Sequence, residues 1–121
     1  MVRTYGLTHV SLNVRNAETS YQFYRKVFGV EEYFREKGQI QAKTPGAHDV
    51  LVFNEAEENI GESGGINHIG FRLVDPADID VAVRLVEAAG GKIISRGEWE
   101  GGEPYAFVSD PDGYEVEIWF E

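Results

Sequence analysis

Alternation of apolar and polar positions opens the chain. From His9 the sequence runs His-Val-Ser-Leu-Asn-Val, so Val10, Leu12 and Val14 share one face of a strand and His9, Ser11 and Asn13 the other. The period then changes. Across residues 17–29, AETSYQFYRKVFG, the residues Tyr21, Tyr24 and Phe28 recur at helical spacing with Val27 beside them. Asn16 is a natural N-cap and Gly29 suits the position just past the last turn. Period two returns in three short pieces, roughly 31–36, 39–43 and 49–54, punctuated by Gly38 and by Pro45-Gly46.

The same order then recurs. Ile69, Phe71 and Leu73 share one strand face, with His68, Gly70 and Arg72 on the other. Asp75 caps a second helix, Pro76 takes its first position, Ile79, Ala82, Val83 and Val86 form its buried stripe, and Gly90 ends it. Strand-like pieces follow at about 92–99, 104–109 and 114–120, separated by Gly101-Gly102 and Asp110-Pro111-Asp112-Gly113. The repetition reaches single residues. GLTHVSLNVRN from Gly6 and GINHIGFRLVD from Gly65 share one offset, 68 − 9 = 59, which carries His9 onto His68 and Leu12 onto Phe71. PGAHDVLVF and PDGYEVEIW match at 111 − 45 = 66, which sets Leu51 opposite Glu117. The charged, glycine-bearing stretch EAEENIGESGG, 55–65, reads as a linker. The expectation is an α+β fold of two tandem βαβββ modules, about 6–54 and 66–120, within one domain spanning 1–121.

The apolar strand faces must cover the helices, which leaves both histidines on the opposite, polar face. In the last strand Val116, Ile118 and Phe120 are expected in the core, with Glu115, Glu117 and Trp119 facing away from it. If the first strands of the two modules lie side by side, His9 and His68 approach across a pseudo-twofold axis and Glu117 can join them. Two imidazoles and one carboxylate form a facial triad that leaves positions open on a divalent ion.

Composition narrows the chemistry. The 121 residues contain no cysteine, which removes disulfides and thiolate catalysis and leaves His, Asp and Glu as metal ligands. A net charge of −10 disfavours nucleic acid and anionic membranes as partners. Nothing in MVRTYGLTHV resembles a signal peptide, and runs such as Val50–Phe53 are too short to span a bilayer, so a soluble, cytoplasmic protein is expected.

The stretches LTHVSLNV, SYQFYRKVFG, INHIGFRL, LVEAAGGKI and FVSDPDGYEVEIW resemble the vicinal oxygen chelate superfamily, which holds glyoxalase I, fosfomycin-resistance, extradiol dioxygenase and bleomycin-resistance proteins. The resemblance covers the whole chain. It implies a paired, partly closed mixed-sheet cleft, a homodimer, and one divalent ion (iron, manganese, nickel or zinc) on His9, His68 and Glu117. Two departures from subfamily patterns stand out. Leu51 occupies the place where glyoxalase I enzymes carry a further Glu ligand, and leucine can neither ligate nor act as a base. Phe107 stands where extradiol dioxygenases have a Tyr, although Tyr105 is close by.

By the same resemblance His48, in HDVLV, is the candidate for acid–base catalysis. Arg72 could meet an anionic substrate group, and Trp99, Tyr105 and Trp119, with Phe107, could wall the pocket. The implied function is a metal-dependent enzyme binding its substrate through two adjacent oxygens, with lyase, isomerase or ring-cleaving dioxygenase chemistry. The alternative is a metal-free protein that sequesters a cationic drug, as bleomycin-resistance members do; a weaker third reading is a metal-free regulatory or structural relative.

Overall fold

The computed structural model describes residues 1–121. Strand β1 (His9–Val14) leads into helix α1 (Ala17–Phe28), and β2 (Glu31–Glu36), β3 (Gln39–Lys43) and β4 (Val50–Glu55) follow. The second half repeats this order with β5 (Ile69–Arg72), helix α2 (Ile79–Ala88), β6 (Lys92–Glu98), β7 (Pro104–Ser109) and β8 (Glu115–Trp119). The helix expected from Pro76 divides into a short 3-10 turn, Pro76–Asp78, and α2, because the Asp75 carboxylate accepts the Ala77 N–H at 2.8 Å and tightens the first turn. His68 lies one residue ahead of β5.

Local sequence explains the helix ends. The Asn16 side chain accepts the Thr19 N–H at 2.8 Å, and Gly29, at φ 70°, returns its own N–H to the Arg25 carbonyl. The buried stripe of α2 is the expected set of Ile79, Ala82, Val83 and Val86. On α1, Phe23 and Ser20 are buried alongside Tyr21 and Tyr24.

Each half forms its own four-stranded mixed sheet, ordered β1-β4-β3-β2 and β5-β8-β7-β6. The first and last strands of each half run parallel, and the remaining pairs are antiparallel. The repeat extends to irregularities: β2 slips register between Glu32 and Phe34, and β6 slips between Ile93 and Ser95.

Within one chain no hydrogen bonds join the two sheets. The halves are held instead through their helical sides. A cluster of 19 buried side chains draws on both, with Tyr24, Phe53, Val86 and Ile118 at or near zero exposure. Phe28 of α1 stacks on Phe71 of β5 at 3.8 Å and 9°.

Polar groups reinforce that junction. The Asp112 carboxylate accepts the Ser20 hydroxyl at 2.8 Å and the Arg15 N–H at 3.0 Å, while Tyr114 donates its hydroxyl to the Asn13 carbonyl at 2.7 Å. The linker is pressed against the same turn. A Cβ on Gly61, at φ +73°, would meet the Asp112 carbonyl oxygen at 2.3 Å, so only glycine fits there.

Two sequence expectations are corrected by register and burial. Ser11 pairs with Val52 and Gly70 with Glu117, and Ser11 and Gly70 are equivalent in the repeat, since 70 − 11 = 59. The counterpart of Glu117 is therefore Val52 and not Leu51, whose side chain lies in the shared core. The loops before β4 and β8 differ by one residue, which an ungapped match cannot see. Phe120, expected in the core, lies beyond β8 and borders a surface cavity, because the strand ends at Trp119.

Candidate functional site

The face of the second sheet that points away from the helices gathers most of the candidates. His68 sits at the mouth of β5, and Glu117 is the middle residue of β8. Their side chains meet with Nε2 and Oε2 3.0 Å apart, and both are largely covered. Val116 and Ile118, on either side of Glu117, are fully buried in the core, and this fixes the carboxylate on the opposite face.

Aromatic residues continue outward from this pair. Phe107, opposite Glu117 on β7, presents its ring to His68 at 5.1 Å and 84°. Tyr105 lies two residues along and edges Phe107 at 5.7 Å, and Trp99 stacks on Tyr105 at 4.2 Å. Beside them a cavity of about 270 Å³ is bordered by Trp99, Glu103, Trp119, Phe120 and Glu121. The side chains of 99, 105 and 107 thus form one continuous wall leading to the His68–Glu117 pair.

Arg72 does not reach into that wall as a free cation. Its guanidinium lies 5.5 Å over the Trp119 ring and donates to the Glu121 carbonyl. Gly70, between His68 and Arg72, leaves room for the Trp119 indole, whose nitrogen would stand 3.2 Å from an added Cβ.

The other two histidines lie in the first half. His9 opens β1, is exposed, and pairs with Val50. His48 precedes β4 and stacks on Tyr5 at 4.3 Å and 14°. The structure therefore brings His68, Glu117, Phe107, Tyr105 and Trp99 together and leaves His9 and His48 apart from them. No three His, Asp or Glu side chains of one chain converge on a point that could hold an ion.

The donor set can nonetheless be tested for fit. An imidazole nitrogen and a carboxylate oxygen are suitable donors for iron, manganese, nickel or zinc. Their 3.0 Å separation is the spacing of two adjacent ligands about an octahedral ion with bonds of about 2.1 Å. One chain thus offers two donors with fitting geometry, and a third must come from elsewhere.

Sequence reasoning missed two groups. Asn67 places its side-chain oxygen 2.6 Å from His68 Nδ1. Asp110 and Asp112, read only as turn residues, are buried carboxylates. The signal for the aspartates was available: two carboxylates flank Pro111 directly before a core strand, where the turn must pack against something.

Residues 6–118 match the model of the Glyoxalase/Bleomycin resistance protein/Dioxygenase superfamily. The chain is 31% identical over 119 residues to a Bacillus subtilis protein named "probable trivalent organoarsenical cleaving enzyme", covering 93% of this chain and 77% of that one. It is 27% identical over 117 residues to the manganese-dependent 2,3-dihydroxybiphenyl 1,2-dioxygenase of Geobacillus genomosp. 3, covering 93% of this chain but 36% of that enzyme. Among solved structures, a glyoxalase-related enzyme from Fulvimarina pelagi superposes with a TM-score of 0.80 at 20% identity, covering 98% of this chain and 89% of that one. At that identity the likeness speaks to the fold.

Proposed function

Because the chain belongs to the Glyoxalase/Bleomycin resistance protein/Dioxygenase superfamily, we propose that it is a divalent-metal-dependent enzyme acting on a small molecule through two adjacent oxygens. In this reading two copies pair so that His9 of one copy completes the set begun by His68 and Glu117 of the other. The 3.0 Å approach of His68 Nε2 to Glu117 Oε2 carries the proposal. The free edges of β1 and β5, each bonded on one side only, are where the sheets of two copies would meet. Each such dimer would hold two equivalent sites.

A divalent ion held there supplies Lewis acidity toward the two substrate oxygens. The remaining work falls to side chains. Phe107, Tyr105 and Trp99 offer an apolar aromatic wall, edge-on between Phe107 and Tyr105 and stacked between Tyr105 and Trp99, against which a substrate ring can be oriented. His48, in the loop feeding β4 beside β1, is the group able to take a proton from a substrate hydroxyl.

Ring-cleaving dioxygenase chemistry on a catechol-like substrate is the reaction favoured, with Phe107 rather than the Tyr of that group standing opposite Glu117. Three donors with no fourth is the facial set used with oxygen, and Val52 stands where a fourth carboxylate would otherwise project. The manganese dependence of the Geobacillus relative supports the same choice. A second reading, metal-free sequestration of a cationic drug, draws on the cavity where Trp99 and Trp119 meet Glu103 and Glu121.

The test is elemental analysis of protein purified without chelator or affinity nickel, followed by oxygen uptake with catechol. About one metal per chain, lost in a His9→Ala/His68→Ala variant, with oxygen consumed, is the expected result. Anaerobic turnover would move the reaction to lyase or isomerase. Failure to take up iron, manganese, nickel or zinc would overturn the metal reading, and ligand binding indifferent to chelator would establish the second one.

A further inference from the structure

We propose that the far end of the aromatic wall is a subsite for an organic ammonium group, so that the preferred substrate is a catechol bearing a short aminoalkyl arm. The catechol half of that statement rests on the metal reading above; the ammonium subsite does not.

The cavity of about 270 Å³ at that end is bordered by three aromatic residues, Trp99, Trp119 and Phe120, and by Glu103 and Glu121. Neither glutamate side chain takes part in a salt bridge. The Arg72 guanidinium is already committed, to the Trp119 ring at 5.5 Å and to the Glu121 carbonyl. With that charge counted, two glutamates against one arginine leave the lining negative, and Glu98 and Glu100 on the same hairpin add to it. Carboxylates alone would attract any cation. The indole faces select one that is weakly hydrated and carries an apolar body, and the seat of Arg72 shows Trp119 used in this way within the chain.

Register sets the length of the ligand. Trp119 lies two residues beyond Glu117 on the same face of β8, and Tyr105 and Phe107 stand opposite them on β7. Two residues of strand span about 7 Å. One ring with a two-carbon arm covers a distance of that order, with its ring oxygens beside His68 and Glu117 and its nitrogen beside Trp119.

Two glycines keep that path open. A Cβ on Gly97 would meet the Tyr105 hydroxyl at 2.8 Å, and one on Gly70 would meet the Trp119 indole nitrogen at 3.2 Å. Tyr105 therefore leans toward β6 and Trp119 toward β5, so the two rings splay apart and leave the strip between them uncovered. The chemistry is that of the parent reaction: one dioxygen is consumed per ring opened, and both its atoms stay in the product.

Trp99 and Trp119 are the only tryptophans in the chain, so intrinsic fluorescence reports on this cavity. Metal-free protein is titrated with 2-phenylethylammonium and with 2-phenylethanol, which keeps the ring and arm without the charge. The amine should bind about tenfold more tightly, and added salt should narrow the gap. Glu103→Gln, shown to be folded by circular dichroism, should bring the two ligands close to parity by weakening the amine. Tetramethylammonium, a cation without a ring, should bind more weakly than 2-phenylethylammonium. Absence of saturable binding by the amine, equal binding of amine and alcohol, or an undiminished preference in Glu103→Gln overturns the proposal. Tetramethylammonium binding as tightly as the amine overturns it too, since the wall would then add nothing.

In protein loaded with Mn²⁺, oxygen uptake with 2-(3,4-dihydroxyphenyl)ethylammonium should show a KM about tenfold below that with 2-(3,4-dihydroxyphenyl)ethanol. Equal KM values overturn the aminoalkyl catechol as substrate. If the metal-free protein discriminates as expected and the loaded protein consumes no oxygen with either compound, the ammonium subsite stands and the dioxygenase reading falls.

Discussion

Tyr24 and Asp110, separated by 86 positions in the chain, meet where the halves join: the tyrosine hydroxyl donates to Asp110 Oδ2 at 2.8 Å. The other Asp110 oxygen accepts the N–H groups of Asp112 and Tyr114, each at 2.9 Å. Tyr24 and Asp110 are both buried, so the acceptor that loses the tyrosine's donor stays dry. Tyr24→Phe should therefore lower unfolding stability by about 1–3 kcal/mol. Urea denaturation measures it, and a loss well below about 0.5 kcal/mol would mean the bond contributes nothing.

The same carboxylate predicts a pH dependence. Burial is the largest influence on Asp110 and pushes its pKa above the ordinary value, against the hydrogen bonds from Tyr24, Tyr114 and Asp112. The folded chain thus keeps this proton where the unfolded chain has released it. The contribution of Asp110 to stability rises as pH falls through the folded pKa toward the unfolded value near about 3.9. Asp110→Asn removes the titration, so the stability difference between wild type and variant should move in favour of wild type on acidification. A difference that stays constant with pH would contradict this.

Between the halves, the stack of Phe28 on Phe71 is the closest aromatic contact. Phe71 is only partly buried, so Phe71→Ala should cost less than the roughly 3–5 kcal/mol of a fully buried phenylalanine, about 2–3 kcal/mol. Single-transition unfolding monitored by two probes would show that both halves lose stability together. Separate transitions would mean that the shared core does not couple them.

A two-copy site makes a prediction that a one-chain site does not. His9→Ala and Glu117→Ala chains should each fail to bind metal alone. Refolded together in equal amounts, half the dimers are mixed, and each mixed dimer has one intact site, so about a quarter of all sites should recover metal. No recovery would dismiss the two-copy set.

Much of the fold could be read directly from the chain. β2, β3 and β7 fall at their expected bounds, and the α2 stripe is the expected one, because period and punctuation are local properties. What escaped was set by distance. The true partner of Glu117 depends on a one-residue difference in loops, and Phe120 is decided by where a strand stops pairing. The aromatic wall was legible as residue types on alternating positions. Its continuity from Trp99 to His68 was not, since it depends on β6, β7 and β8 lying side by side. The spacing of His68 to Glu117 and the separation of His9 from both are likewise tertiary facts.

Gly61 has a consequence for how the chain could be divided. The halves share a core rather than a sheet, yet the linker is not a slack tether, because its glycine backbone is seated on the Asp112 carbonyl. A cut on the first-half side of that seat, near Glu57-Glu58, would leave each fragment with its four strands and its helix, and the second fragment with the seated glycine. Such fragments carry matching apolar helix faces and a buried carboxylate clasp with which to find each other. The architecture is that of a reporter that works in two pieces, in which reassembly of the pieces restores one fold.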